Sequence, residues 1–166
     1  MGKIEIRSIR QGDEKSLAYI QTESWRVAFT GIISQEELAK ATDIAVVEER
    51  YARALAVDPP TGVLLFVDAQ PHCMAIWGKC RGEICPDSAE LICIHSLQDN
   101  WGRGYGSITM ERILADMKES GYTEAVLWVF EENLRARRFY EKHGFALTDH
   151  RKNTRNAIEV MYHKVI

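Results

Sequence analysis

The sequence predicts an α/β (α+β) domain built on a mixed, mostly antiparallel sheet with one parallel strand pair and helices on both faces. Three observations predict it. Helical patterns fill the stretch up to about Val57, and strand-like apolar runs take over from Val63. A strand, a glycine-rich turn, a helix and a second strand follow one another from Glu90 to Val129, which calls for a parallel pair in right-handed crossover. Two apolar runs near the end, Phe145–Leu147 and Ile158–Tyr162, read as a closing hairpin with a polar loop between them.

The elements follow in order. Ile4, Ile6 and Ile9 mark a first strand over residues 4–9. Gly12-Asp13 starts a helix that runs to about Phe29. Leu17, Ile20, Ser24 and Val27 or Ala28 share one face at helical spacing, and Gly31 ends it. Ser34-Gln35-Glu36-Glu37 is a capping box for a short second helix. Asp43 caps a third, which Asp58-Pro59-Pro60-Thr61-Gly62 breaks off. Val63–Val67 is a strand, Asp68–Pro71 a turn, and Cys73 to about Arg81 a second strand. After a loop, Ala89–Leu97 is a buried strand, so a meander ends in the centre of the sheet. The helix opened by the glycines runs to about Glu119 on a stripe of Met110, Ile113, Leu114 and Met117. Ala125–Val129 is the next buried strand. Asn133 caps a last helix to His143, with Gly144 as its left-handed stop.

Composition narrows the function classes. At 166 residues the chain is expected to be one domain, 1–166, with a single sizeable core. A net charge of −3 gives no broad electrostatic case for nucleic acid or an anionic membrane. No apolar run approaches a membrane span, and Met1–Glu5 lacks the apolar core of a signal peptide, so a cytoplasmic location is expected. Cys73, Cys80, Cys85 and Cys93 contain no C-x-x-C pair. Reduced thiols are expected rather than a zinc site, even with His72 and His95 nearby. No metal is expected.

The stretch with the most chemistry is Trp101-Gly102-Arg103-Gly104-Tyr105-Gly106-Ser107, at a strand-to-helix turn. Alternating glycines there leave main-chain N–H groups uncovered beside the positive end of a helix, which suits phosphate oxygens. A dinucleotide fingerprint would place its last glycine at Ser107, and no acidic ribose contact follows at the expected distance.

A second stretch follows about twenty residues after that turn. Trp128 to Phe145 carries Asn133, Ala136, Phe139, Tyr140, Gly144 and Phe145 in the spacing N-x-x-A-x-x-F-Y-x-x-x-G-F. With Gly104 and Gly106 in a Q/R-x-x-G-x-G/A loop, the chain resembles the GCN5-related N-acetyltransferase (GNAT) family. Ile6-Arg7 through Ser24-Trp25-Arg26 is similar to that family's opening strand and helix. The resemblance implies the family's acyl-CoA N-acyltransferase fold and direct acetyl transfer from acetyl-CoA to an amine, with no protein nucleophile. It implies a pyrophosphate cradle at Gly102, Arg103, Gly104, Tyr105, Gly106 and Ser107. It places the pantetheine arm along Ile92–Ser96, where Ile94, His95 and Ser96 are cofactor candidates and an N–H of the strand could hold the oxyanion. It implies Tyr140 as the acid that protonates the leaving thiolate and Asn133 as a pantetheine partner. A core tyrosine and an ordinary N-cap are the plain alternatives.

The base stays open between Glu90 and His95. Five positions apart on one strand, they are expected on opposite faces. Bulk water is a third recipient for the proton. Glu131 and Glu132 fit a helix entry better than the acceptor site. Cys93, among apolar neighbours, fits burial better than an acyl-enzyme route. Trp101 stands where the family carries Gln or Arg, so a side-chain contact to phosphate is lost there; Arg103 is one substitute. Trp25 and Phe29, and less specifically Tyr51 and Trp77, are aromatic candidates for the acceptor side. Acidic Glu23, Glu36, Glu37 and Asp43 suit either a cationic amine or a solvated helix face. The expected reaction is acetylation of a primary amine of a small molecule. Acetylation of a protein N-terminus or lysine, transfer of a longer acyl group, and a non-catalytic acyl-CoA sensor are the alternatives. A homodimer is a further expectation.

Overall fold

The computed structural model describes residues 2–166; Met1, part of the opening segment read above, lies outside them. Seven strands form one sheet: β1 (Ile4–Ser8), β2 (Gly62–Val67), β3 (Gln70–Lys79), β4 (Ala89–Ser96), β5 (Glu124–Phe130), β6 (Ala146–Thr154) and β7 (Ala157–Val165). Their order across the sheet is β1-β2-β3-β4-β5-β7-β6. Every pair is antiparallel except β4 with β5, which is parallel. Five helices complete it: α1 (Glu14–Ala28), α2 (Gln35–Ala41), α3 (Ile44–Val57), α4 (Tyr105–Glu119) and α5 (Leu134–Lys142).

The β2 sequence Val63-Leu64-Leu65 shows why the middle of the sheet is apolar without alternation. Val63 packs with Met110, Ile113 and Met117 of α4. Leu64, on the other face, packs with Leu17 and Ile20 of α1 and Val47 and Leu55 of α3. A strand covered on both sides needs apolar residues in both phases. The α4 stripe is fully buried at Met110, Ile113 and Met117, so truncating any one to alanine would cost about 2–5 kcal/mol.

Local chemistry sets the ends. Ser34 Oγ accepts from Glu37 N, and Asp43 Oδ1 accepts from Ala45 N and Val46 N. Asp13 makes no side-chain cap to α1. It accepts from both terminal nitrogens of Arg7 at 2.8 Å and from Arg10 N, tying β1 to the start of α1. Asp68 and Ala69 take positive φ values of 50° and 63°, so the β2–β3 connection is a two-residue turn. The strand expected from Cys73 therefore starts at Gln70.

The closing hairpin departs further from expectation. The polar stretch read as a loop is strand almost throughout, and the turn is only Arg155-Asn156, with φ of 53° and 60°. β6 lies at the sheet edge, and its exposed Arg151-Lys152-Asn153 pairs with Val160, Glu159 and Ile158 of β7 after a register shift that leaves Asp149 and His150 unpaired. Apolar patterning cannot reveal such a strand.

One irregularity opens the sheet between β4 and β5. On β3 and β4, Ile76 pairs with Cys93 while Trp77 pairs with Leu91, which leaves Ile92 as an extra residue in β4. Pairing of β4 with β5 covers only Ala89–Leu91 against Ala125–Leu127. A bulge bends its strand, and the two parallel strands separate where Ile92 is inserted.

Candidate active site

Beyond Leu91 the edge of β4 that faced β5 has no strand beside it. Two cavities open at this gap. One, of about 250 Å³, lies between the end of β4, the turn before α4 and the inner side of α5. The other, of about 190 Å³, lies between α1, the end of β5 and the β6–β7 hairpin. Ile94, Ser96, Arg135, Ala136 and Tyr140 line both. The gap is thus a passage, with Tyr140 at the junction.

The first cavity is bordered by the glycine turn. Gly102 and Gly104 have φ of 78° and 85°, and a Cβ on either would meet nothing within 4 Å. These two glycines are needed for backbone conformation. Gly106 serves packing, because a Cβ there would stand 3.3 Å from the Phe139 ring of α5. Gly104 precedes α4 with no side-chain cap, and Ile108 N is the first amide to reach back, to Gly104 O at 3.1 Å. The preceding amides have no helical acceptor and carry the positive end of the helix dipole. Arg135 and Lys142 line this cavity, and no Asp or Glu does. A chain of net charge −3 has therefore built a locally cationic pocket.

Tyr140 is held by α5 among Phe139, Phe145 and Tyr162, with ring centroids 5.7, 6.2 and 6.4 Å away. Burial raises its pKa above the ordinary phenol value, and the charge of Arg135 draws it partly back. At neutral pH the hydroxyl keeps its proton. Asn133 caps α5, its Oδ1 accepting from Ala136 N at 3.2 Å, and it also borders the second cavity. Its side-chain oxygen is thus committed to the helix.

The second cavity has aromatic walls. Trp25 and Phe29 meet edge-to-face at 4.8 Å, and Phe29 meets Phe130 at 5.1 Å. His95 faces this cavity, and its Nε2 accepts from Trp25 Nε1 at 3.2 Å. Burial pulls the imidazole pKa down to about 4, so the ring is neutral at pH 7 with Nε2 unprotonated. Cys93 also borders this space, its thiol pushed up to about 12, chiefly by burial. All four cysteines are free, and among the described residues no cluster of three or more His, Cys, Asp or Glu could hold a metal ion.

The opposite-face expectation for Glu90 and His95 is overturned. Glu90 pairs with Gly78 and His95 with Met74, four positions apart on β3, so both point to the same face. The extra residue Ile92 shifts the count by one. Nor is Glu90 a solvated strand end: it is 3% exposed. It accepts from Arg81 N, Nε and a terminal nitrogen at 3.0, 3.1 and 2.7 Å. Burial alone would raise its pKa; the hydrogen bonds and charge of Arg81 outweigh it and hold the carboxyl below its usual range. Glu90 borders neither cavity.

The other expected residues divide as follows. Ile94, Ser96, Gly102, Gly104, Gly106 and Ser107 line the first cavity, and Ser107 Oγ lies 3.1 Å from His143 Nε2. Arg103 is exposed and outside the lining. The Tyr105 side chain turns away, to His72 at 5.6 Å. Tyr51 bonds Gln21 in the α1–α3 core, and Trp77 belongs to the α4 core, so neither reaches the acceptor side. Glu37 meets Arg155, which also lies over the Trp25 ring at 5.7 Å and ties the hairpin tip to α1 and α2.

Sequence reasoning missed Arg135, Lys142, Trp128, Arg155 and Glu159. The first two sit inside the Asn133–Phe145 stretch, where basic residues spaced along one short helix were the available signal. Trp128, Arg155 and Glu159 come from β5 and the hairpin, and only the strand register brings them to α1.

Residues 32–145 match the Acetyltransferase (GNAT) family. A spermidine N(1)-acetyltransferase of Thermoplasma acidophilum is 25% identical over 146 residues, covering 88% of this chain and 90% of that one. A probable N-acetyltransferase of Mycobacterium tuberculosis is 26% identical, covering 86% of this chain and 79% of its own. In fold, the crystal structure of the PaiA N-acetyltransferase of Thermoplasma acidophilum in complex with coenzyme A superposes with a TM-score of 0.82, at 20% identity and 99% coverage of both chains. With the matched segment running from just beyond α1 through the glycine turn to Phe145, the chain belongs to the GNAT acetyltransferase family.

Proposed function

We propose that this protein transfers the acetyl group of acetyl-CoA directly to a primary amine of a small molecule. As a GNAT member it is an acetyl-CoA-dependent N-acetyltransferase. The observation that carries the finer reading is the passage between two unlike cavities with Tyr140 shared by both. The cationic cavity with its uncapped helix start takes coenzyme A, its diphosphate at the amides around Gly104 and its pantetheine arm along the free edge of β4. The aromatic cavity takes the amine. Its volume of about 190 Å³ and the Arg155–Glu37 tie across the hairpin tip suit a small acceptor better than a folded protein's tail.

The chemistry needs a neutral amine, a polarised thioester and a proton for the leaving sulfur. A β4 N–H at the gap holds the tetrahedral oxyanion, a dipole in place before the charge forms. As the carbon–sulfur bond breaks, Tyr140 gives its proton to the thiolate. Glu90, saturated by Arg81, takes no part in this account. His95 has its accepting nitrogen committed to Trp25, so the amine loses its proton to solvent and His95 shapes the cavity. The rate then rises with pH as the free amine fraction grows, without an inflection near the histidine range.

A relative at 25% identity is named for spermidine, which supports an amine acceptor. Here Arg135 and Arg155 border the acceptor cavity and its carboxylate, Glu159, already lies 3.4 Å from Lys152 Nζ. Spermidine is therefore the acceptor that decides how far the relative's specificity carries over. The test is thiol release from acetyl-CoA across a panel of spermidine, monoamines, amino acids, aminoglycosides and peptides. Acetylation of a small amine at a rate well above hydrolysis is expected. Coenzyme A binding with no release for any acceptor would favour a sensor, and preference for peptides would favour a protein acetyltransferase.

A further inference from the structure

We propose that Arg135 is an anion anchor for the donor, supplying from α5 the positive side-chain contact that Trp101 does not supply from the glycine turn. The inference rests on the reading of that turn as the coenzyme A site.

The guanidinium carbon of Arg135 lies 3.4 Å from the centroid of the Trp101 ring. The ring is itself pinned, because Trp101 Nε1 donates to Ser96 O at 3.0 Å, and Ser24 Oγ donates to the same carbonyl. Stacking on a fixed indole sets the plane of the fork and leaves its N–H edges free. Trp101 borders the first cavity and not the second. Although Arg135 lines both, its charged end is thus on the donor side.

Arg137, Arg151 and Arg155 have partners. Arg137 donates to Tyr162 Oη at 2.9 Å and to Glu131 O at 3.0 Å, while Arg151 and Arg155 bridge Glu131 and Glu37. Among the described residues Arg135 meets no carboxylate. Burial draws its pKa below the ordinary guanidinium value, and the only opposing charge is that of an ionised Tyr140. A guanidinium held in place, partly desolvated and without a counter-ion is poised for an anion that arrives from outside. The cavity it enters has Lys142 as a second cation and no carboxylate. Arg103, the loop's own arginine, is exposed and outside the lining.

The anion is a phosphate group of the donor, the diphosphate being the one that lies at the glycine turn. Backbone amides then hold it from the α4 side and Arg135 from the α5 side. The stack also couples the two grips, since Trp101 belongs to the turn and Arg135 to the helix that carries Tyr140.

Arg135→Gln tests this, with isothermal titration of coenzyme A and with kinetics on acetyl-CoA and on acetylpantetheine, which lacks the diphosphate and nucleotide. The variant should melt close to the wild type, because Arg135 keeps part of its surface in solvent and, apart from its stack on Trp101, makes no hydrogen bond or ion pair with another side chain. Coenzyme A affinity should fall about tenfold to a hundredfold. The wild type's preference for acetyl-CoA over acetylpantetheine, in kcat/KM, should shrink by about tenfold or more. Arg135→Lys, which keeps charge but loses the stacked fork, should recover only part of both. Unchanged affinity, or a loss shared equally by the two donors, would overturn the assignment. If the wild type takes up no coenzyme A at all, the donor reading of the turn falls first.

Discussion

The two cavities that meet at Tyr140 are made differently. The cavity proposed for the donor is mostly main chain: two glycines at positive φ, the uncapped start of α4 and the unpaired edge of β4. The cavity proposed for the acceptor is mostly side chain: Trp25, Phe29, Trp128, Arg155 and Glu159, drawn from α1 and its C-cap, β5 and the hairpin. A ligand portion common to every family member can be held by groups that every sequence possesses. A ligand portion that varies needs groups that vary. This difference predicts that damage to the donor side acts through backbone geometry, and damage to the acceptor side through individual contacts.

The largest test falls at the junction. Tyr140→Phe removes the shared hydroxyl and little else, so kcat should fall about 10²- to 10³-fold with coenzyme A affinity changed less than threefold in the same titration. If kcat holds, the junction is only a wall. Next in size is Arg81→Ala, which removes the guanidinium and two of the three hydrogen bonds to buried Glu90, leaving only Arg81 N as donor. A loss of about 1–2 kcal/mol in denaturant unfolding is expected, because the Arg81 side chain is 62% exposed and its charge is screened, with kcat in the folded fraction unchanged; a large drop in kcat at full folding would return Glu90 to the chemistry. The sign with pH is fixed. The Glu90 pKa is lowered in the folded state, so this stabilisation is present above the unfolded carboxyl pKa. It is lost as pH falls through the folded value. Wild-type stability should therefore decline on acidification more steeply than that of Arg81→Ala.

Gly104→Val follows. A β-branched residue at φ 85° is strained by about 1–2 kcal/mol or more, so coenzyme A binding should weaken about tenfold while acceptor KM stays constant. Equal weakening of both would show that the two sides are not separable. The smallest effect is expected for Trp25→Phe, which removes the indole N–H that holds His95. Acceptor KM should rise a few-fold without change in donor affinity. The freed imidazole should also bring a new inflection into the pH–rate profile. No inflection would mean that His95 is shielded by burial alone.

The same division explains what the sequence made legible. The glycine turn, the Asn133 cap and the Tyr140 position are local patterns with fixed spacing; they lead to the fold, and all three border the cavities on which the proposed function rests. The helix ends at Ser34 and Asp43 are equally local. The edge strand β6 carried no apolar alternation, because its exposed residues bury nothing. Arg155 and Glu159 acquire a place only through the pairing of β7 with β5 and β6. Glu90 was misplaced because a parity argument assumes an unbroken strand, and Ile92 breaks it.

That extra residue has a practical consequence for anyone who recombines this chain with a relative. Removing that position would leave Cys93, Ile94, His95 and Ser96 opposite the same β3 partners but take away the bend that parts β4 from β5. Crossover points in chimeras should be chosen by ladder partner, with Ile76 matched to Cys93, and not by counting from the start of the strand.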